Sequence, residues 1–394
     1  MSNKPERLQW FNDLGFGLFI HWSMDSQLGS VIGHSMASAS DDYLHRFIHD
    51  LPSTFNPTRF DAREWAVLAK LAGMRYVVFT TKHHSGFCMF HTETTPFSIS
   101  NTPFQRDITG ELITAFREQG IAIGLYFSPD DFYFLHGKGM PVRRGVLDAD
   151  CEGLLDYNKA QMQELLTRYG KIDLVFFDGN SDGLREQCWE IDPETVVTRG
   201  AMPTPEQRIP GLQSADPWEA CVTMGTGWQF KPTNESYKSG TRLIELLVET
   251  RAKGGNLLLN VGPKPNGELP IEQEGLLREI ALWHFVNGEA VHGIGPWRIP
   301  REGDVWFTAR SEEGQVYACI EGADPWPLNS RKQIVLSSVR KHFRFAVLRE
   351  NRRVVQADGA RAAELDAFHT VLTEVSHCEA TPAVIDFVVE AYGK

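Results

Sequence analysis

The stretch at residues 171–180 constrains this chain more than any other. Leu174, Val175, Phe176 and Phe177 form an apolar run rich in strand-forming types, too short for a typical helix, and Asp178-Gly179 closes it. Such a run reads as a parallel strand buried on both faces. Asp178 then stands at the strand's carboxyl end. In α/β barrels catalytic groups sit at that end, so one acid is presented to a pocket instead of bulk water. An Asp-Gly pair also makes ordinary turns, so the rest of the chain has to decide between the two readings.

Other strand-like runs recur at residues 16–21, 75–81, 121–127, 195–198, 220–224 and 256–261. Helical patterns separate most of them. In 61–72, Trp65, Leu68, Ala69 and Ala72 share one face and Gly73 supplies a stop; in 108–119, Leu112, Ala115 and Phe116 do the same before Gly120. Further helical patterns cover 154–169 and 243–250. Strands alternating with helices over roughly 250–300 residues favour a (β/α)8-like, TIM-type barrel, with an open doubly wound sheet as the alternative. After Trp297 the pattern changes. Strand-rich runs at 305–309, 315–320, 333–339, 343–348, 354–357, 370–375 and 384–389 follow one another without helices, which reads as a small C-terminal β-sandwich. The expected division is a catalytic barrel at 1–297 and a β-sandwich domain at 298–394.

Composition removes several functional classes. Of the 394 residues, 42% are hydrophobic, and 39 basic against 51 acidic side chains leave a net charge of −12 with no basic block. Nucleic acid and anionic membrane are therefore poor partners. The six cysteines show no CxxC pairing and no framework spacing, which argues against a zinc ribbon or a disulfide scaffold. With a polar N-terminus and no apolar run of membrane-spanning length, a soluble, cytoplasmic protein is expected. The sequon at Asn234 would matter only in a secreted protein.

The strand ends carry polar groups of one kind. One run ends in His21, another in His83 and His84; Tyr126 lies near a third end and Arg199 closes a fourth. Each alone is more often structural, but several converging on one barrel rim define a candidate site. Adjacent strand residues point to opposite faces, so His83 and His84 cannot share a metal unless the strand has already turned into its loop, and no HExxH accompanies them. Hydrogen bonding to a polyol is the better use of neutral imidazoles. No metal and no cofactor are expected. Gly33-His34-Ser35-Met36-Ala37 imitates a nucleophile elbow without the required strand and helix, and Gly15-Phe16-Gly17 runs into a strand instead of opening a helix.

Taken together, the run from Phe16 to Trp22, Lys82-His83-His84, Gly124-Leu125-Tyr126, Phe177-Asp178-Gly179, Trp218-Glu219 and the stretch from Gly254 to Pro263 resemble the α-L-fucosidases of glycoside hydrolase family 29. The match runs from about residue 8 to Trp297 in the family's order. This resemblance implies a retaining exo-glycosidase that releases terminal α-L-fucosyl residues from a glycan or glycoside through a covalent glycosyl-enzyme. It makes Asp178 the nucleophile and Glu206 the acid/base, with Glu219 as the rival. His21, His83, His84, Tyr126 and Arg199 become sugar contacts, Phe176 an aromatic neighbour, and Trp228 an aromatic packing on the sugar's C6 methyl. In retaining enzymes the two carboxyls stand about 5–5.5 Å apart, and the charge on the nucleophile is expected to keep the acid protonated. The chain departs from the family at Ser85, where aspartate is usual, and at residues 33–38, where a tryptophan is expected. Two alternatives follow: a related retaining hydrolase for another α-linked sugar such as L-galactose, or an inactive sugar-binding barrel.

Overall fold

The computed structural model describes residues 1–310, 315–321, 331–340, 371–374 and 382–388. The chain opens with α1 (Pro5–Leu14), β1 (Phe16–Ile20), α2 (Asp41–His49), α3 (Ala62–Leu71) and β2 (Tyr76–Lys82). It continues with α4 (Ile108–Glu118), β3 (Ala122–Phe127), α5 (Phe132–Gly137), α6 (Leu154–Arg168), β4 (Leu174–Phe177), α7 (Leu184–Ile191) and β5 (Val196–Val197). Next come β6 (Glu219–Thr223), α8 (Gly240–Ala252), β7 (Asn256–Val261) and α9 (Ile271–Asn287). The last part is all strand: β8 (Gly295–Glu302), β9 (Val305–Arg310), β10 (Gln315–Ile320), β11 (Arg331–Arg340), β12 (Val371–Glu374) and β13 (Pro382–Val388).

Seven parallel strands curl in the order β5-β4-β3-β2-β1-β7-β6. The extended segment at 203–207 lies along the open edge of β6: Cys221 N–H donates to the Pro205 carbonyl, Gln207 N–H donates to the Cys221 carbonyl, and Glu206 bridges Cys221 in the parallel sense. This segment extends the curled sheet past β6, and the sheet with its helices matches the (β/α)8-like barrel expected from the alternation of strands and helices.

The two-residue period of a strand sorts its side chains between two cores. Leu18, Val77, Phe79, Val175 and Phe177 join the large core under the helices, whereas Phe19, Tyr76, Val78, Tyr126, Leu174 and Phe176 fill the barrel interior. Gly17 belongs to the inward series; a Cβ there would lie 2.4 Å from the Tyr76 ring, so only glycine leaves room for it. The inward series of β4, Leu174 and Phe176, continues to Asp178. That of β1 continues from Phe19 to His21. Periodicity therefore aims both groups along the barrel axis at the carboxyl ends of their strands.

Loops above the strands are pinned by buried charge. Lys82 and Asp131 are fully buried; Lys82 Nζ donates to Asp131 Oδ2 at 3.1 Å and to Asn158 Oδ1 at 2.6 Å, and Asn158 Nδ2 donates to the Pro129 carbonyl at 2.8 Å. Asp131 also caps α5 through the Phe134 N–H. Removing one partner of a buried pair strands the other charge. Lys82→Met is expected to destabilise the fold by about 3–5 kcal/mol, read from the midpoint of urea unfolding, and a cost under about 1 kcal/mol would contradict the network's role.

The C-terminal strands are antiparallel, in sheets ordered β12-β10-β9-β8 and β11-β13. α8 packs against β8 and β9, and Thr308 Oγ1 donates to the Ala290 carbonyl. β8 begins at Gly295 and so runs across the expected boundary at 297/298. The strand-like runs at 343–348 and 354–357 lie outside the described residues. Among the described residues, no helix is long and apolar enough to cross a membrane.

Candidate active site

Asp178 is buried at the mouth of the barrel and carries a donor on every side. Tyr126 Oη donates to its Oδ2 at 2.7 Å, and His84 Nε2 stands 3.3 Å from the same oxygen. Arg144 Nη2 donates to Oδ1 at 3.2 Å, and Arg199 Nη2 lies 3.4 Å from it. Burial opposes the charge, but the His84 hydrogen bond and the Arg199 guanidinium outweigh it and hold the carboxyl well below the usual range. Asp178 is therefore an ionised carboxylate throughout the neutral range.

The histidines around it are kept neutral. Burial pulls His21 down to about 3 against its hydrogen bond to Asn260, and burial pulls His83 and His84 down as well. β2 stops at Lys82, and the backbone has turned by His83, whose carbonyl accepts the Gly86 N–H. Strand alternation thus no longer separates His83 from His84: their ring centroids lie 4.2 Å apart, and the His83 ring stacks 5.1 Å from that of Tyr126. One ring nitrogen from each of His34, His83 and His84 lies within 4.8 Å of the others, the spacing of a cation site. His83 Nδ1 already accepts the His84 N–H at 2.9 Å, and the His84 nitrogens face Ser128 Oγ and Asp178. Those commitments suit hydroxyls and a carboxylate better than a metal ion.

Glu206 reaches the same rim. Its Oε1 is ion-paired with Arg199 Nη1, so one guanidinium touches both Asp178 and Glu206. The Glu206 side chain is 42% exposed and sits on the segment after β5, where it has room to swing. Glu219 does not join them. It is the first residue of β6, at the opposite end of the barrel, buried and hydrogen-bonded by Tyr76 Oη at 2.8 Å, and burial pushes its carboxyl up to about 8. The rival acid is a neutral core group below the pocket.

The aromatic residues form the wall between pocket and barrel interior. Trp228 is partly exposed, tilted against His21 with centroids 4.9 Å apart, and its carbonyl accepts from Asn260 Nδ2 at 2.6 Å. Phe176 is 1% exposed, stacked on Tyr126 and tilted against Phe19. It supports the pocket from beneath and offers no open face to a ligand in this state.

Three groups at the site escape a reading of strand ends: Arg144, Asn260 and His34. Arg144 comes from the loop after α5 and links Asp178 to Asp130 Oδ2 at 3.3 Å. Asn260 fixes His21 through its Nδ1 at 2.6 Å. Arg144 lacks a local motif; Asn260 belongs to the Gly254–Pro263 stretch, on the inward face of its strand, where a buried amide calls for a polar partner. His34 sits on a loop held by Asp25, whose Oδ2 accepts the Gly33 N–H at 2.7 Å.

Burial pushes the Asp25 carboxyl up from 3.8 to about 6, a difference of about 3 kcal/mol between its two charge states. The group is neutral in both folded and unfolded chains below pH ~4, ionises first in the unfolded chain, and costs the fold its buried charge once pH passes about 6. Asp25→Asn should therefore gain up to about 3 kcal/mol over the wild type as pH rises from 4 to 7, by chemical denaturation. Parallel stability profiles for the two proteins would contradict this.

A parallel barrel that presents two carboxyls, one guanidinium between them and a ring of neutral imidazoles beneath partly exposed tryptophan is the apparatus of a two-carboxylate glycoside hydrolase. Comparison narrows the class. The α-L-fucosidase family model matches residues 2–289, and the chain belongs to that family. It is 28% identical over 376 residues to the plasma α-L-fucosidase of Homo sapiens, covering 82% of this chain and 77% of that protein. Against the α-L-fucosidase of Dictyostelium discoideum the identity is 27% over 365 residues, with 79% and 77% covered. Among solved structures, α-L-fucosidase isoenzyme 1 from Paenibacillus thiaminolyticus aligns with a TM-score of 0.75 at 27% identity over 98% of this chain and 99% of that one. A Bacteroides thetaiotaomicron family 29 α-L-fucosidase, trapped as a covalent intermediate with 2-fluoro-fucosyl fluoride, aligns with a TM-score of 0.73 at 25% identity, covering 99% and 97%.

Proposed function

We propose that this chain hydrolyses terminal α-L-fucosyl residues with retention of configuration, Asp178 acting as nucleophile and Glu206 as acid/base. Family membership carries the reaction class, and neither alternative hydrolase nor inactive barrel is favoured by it. The observation that supports the residue assignment is Arg199, which contacts both carboxyls at the rim while Asp178 is held ionised.

In the first step Glu206 leaves Arg199, takes up a proton from solvent and gives that proton to the glycosidic oxygen as Asp178 attacks the anomeric carbon. The glycosidic bond breaks, the aglycone departs as an alcohol, and a glycosyl ester forms on Asp178. In the second step Glu206 takes a proton from water, the water oxygen attacks the same carbon, and the ester bond breaks to regenerate the Asp178 carboxylate. Tyr126 and His84 orient the nucleophile, His21 and His83 hold ring hydroxyls, and Trp228 offers the apolar face that suits a deoxy sugar. The five described cysteines are buried free thiols, which supports a reducing compartment; Cys378 lies outside the described residues.

A panel of aryl glycosides tests the reading. The α-L-fucoside should be cleaved fastest, with α-L-fucose as the first anomer seen by NMR, and the α-L-galactoside slower by up to about a hundredfold, because a pocket packed on a methyl rejects an added hydroxyl only modestly. First release of the β anomer would overturn it.

A further inference from the structure

We propose that His34 is a specificity-determining residue of the sugar pocket, accepting a hydrogen bond from the ring hydroxyl to which His83 donates. This rests on the fucosidase reading above. The inference comes from the proton positions that the histidines' fixed partners impose.

His34 Nδ1 lies 2.7 Å from the Ile32 carbonyl. A carbonyl only accepts, so Nδ1 carries the proton and the Nε2 lone pair is the open position. His83 is the reverse: its Nδ1 accepts the His84 N–H at 2.9 Å, which puts the proton on Nε2 as a donor. His21 Nδ1 faces Asn260 Oδ1 at 2.6 Å, and the amide's orientation is fixed because its Nδ2 donates to the Trp228 carbonyl. His21 Nε2 is therefore an acceptor. The three rings follow one another, with centroids 6.0 Å apart from His21 to His83 and 5.7 Å from His83 to His34. Their open nitrogens read acceptor, donor, acceptor.

A sugar hydroxyl is one donor and an acceptor, so a hydroxyl beside His83 and His34 takes the first ring's N–H and gives its own proton to the second. A neighbouring hydroxyl gives its proton to His21. An ether or a hydrogen in place of the first hydroxyl leaves a half-buried imidazole unpaired, which is how a site discriminates against the analogue that lacks a polar group. The loop is built to hold this position. Asp25 fixes Gly33, whose φ is +66°, and a Cβ on Gly33 would stand 2.5 Å from His83 Nδ1. Any other residue there would push His34 away from its neighbour. Gly33 and His34 lie in the 33–38 segment where the chain departs from its family's pattern, so the hydroxyl preference is set by this chain's own loop.

The test is steady-state kinetics of the wild type, His34→Ala and His34→Gln on 4-nitrophenyl α-L-fucoside and its 2-, 3- and 4-deoxy analogues. His34→Ala is expected to lower kcat/KM about 10- to 100-fold on the parent and on two analogues, and less than about threefold on the one analogue that lacks the bonded hydroxyl. His34→Gln, which offers an amide oxygen as acceptor, is expected to restore part of the loss on the parent. Equal losses on all four substrates, or no loss on any, would overturn the role of His34 while leaving the fucosidase reading in place. A wild type inert toward the parent fucoside would overturn that reading itself.

Discussion

Asp178→Ala is expected to lower kcat on 4-nitrophenyl α-L-fucoside by at least about 10⁴-fold while circular dichroism and the melting temperature report an intact fold. The size follows from its position. Asp178 is the carboxylate on which Tyr126, His84, Arg144 and Arg199 converge, it is held ionised, and it ends the inward series of β4. Truncation to alanine also opens a small space at the anomeric face, so sodium azide should restore turnover by attacking the carbon from the vacated side. The product would be β-L-fucosyl azide, of inverted configuration, with the aryl alcohol leaving as before. Undiminished activity in Asp178→Ala, or an α-configured azide from it, would remove Asp178 from the nucleophile's role.

Glu206→Ala should behave differently, because the acid matters in proportion to how poorly the leaving group departs alone. With 2,4-dinitrophenyl α-L-fucoside, kcat/KM is expected to stay within about tenfold of the wild type, and with an alkyl or oligosaccharide fucoside to fall by about 10²–10⁴-fold. Loss of the base slows the second step for all substrates, so kcat on the dinitrophenyl compound should fall while KM falls with it. Azide should again rescue, now giving the α-configured azide, since it attacks the glycosyl ester in place of water. Equal losses on good and poor leaving groups would exclude Glu206 as the acid. Glu219 could not inherit the role, since it lies at the far end of the barrel under Tyr76.

Much of this architecture is legible in the sequence, for identifiable reasons. The Leu174–Phe177 and Leu257–Leu259 runs lie in strands buried on both faces, so they stand out as continuous apolar stretches, and Asp178 follows the first at a place fixed by strand period alone. The helix at Ala62–Leu71 announces itself through the stripe of Trp65, Leu68 and Ala69 and the stop at Gly73, and the structure adds the Asp61 cap, whose side chain accepts from Arg63 and Glu64 N–H groups. What the sequence hides depends on chain segments that meet only in three dimensions. Arg144 and His34 come from loops with no period to read, and their value lies in what they face. Trp218-Glu219 looks like a rim motif, yet a parallel barrel puts the start of a strand at the end opposite the pocket, and only the register of β6 with β7 reveals which end Glu219 occupies. The boundary near 298 falls inside β8 because Pro296, Arg298, Pro300 and Arg301 break the alternation that marks a strand; as an edge strand of its sheet, β8 tolerates them.

The histidine pair shows the same limit from the other side. Alternation on a strand keeps neighbouring side chains apart, and that rule lapses one residue after Lys82, where the backbone turns and both imidazoles enter one pocket. Their neutrality is a consequence of burial, and it is what allows each ring to act as a fixed donor or acceptor instead of a counter-charge to Asp178.

The most direct measurement is covalent trapping. Incubation with 2-deoxy-2-fluoro-α-L-fucosyl fluoride, followed by intact-mass and peptide mass spectrometry, should add one fluorofucosyl group per chain, esterified to Asp178. A label on a different carboxylate, or full consumption of the reagent with no label and with inversion of the released sugar, would contradict the account.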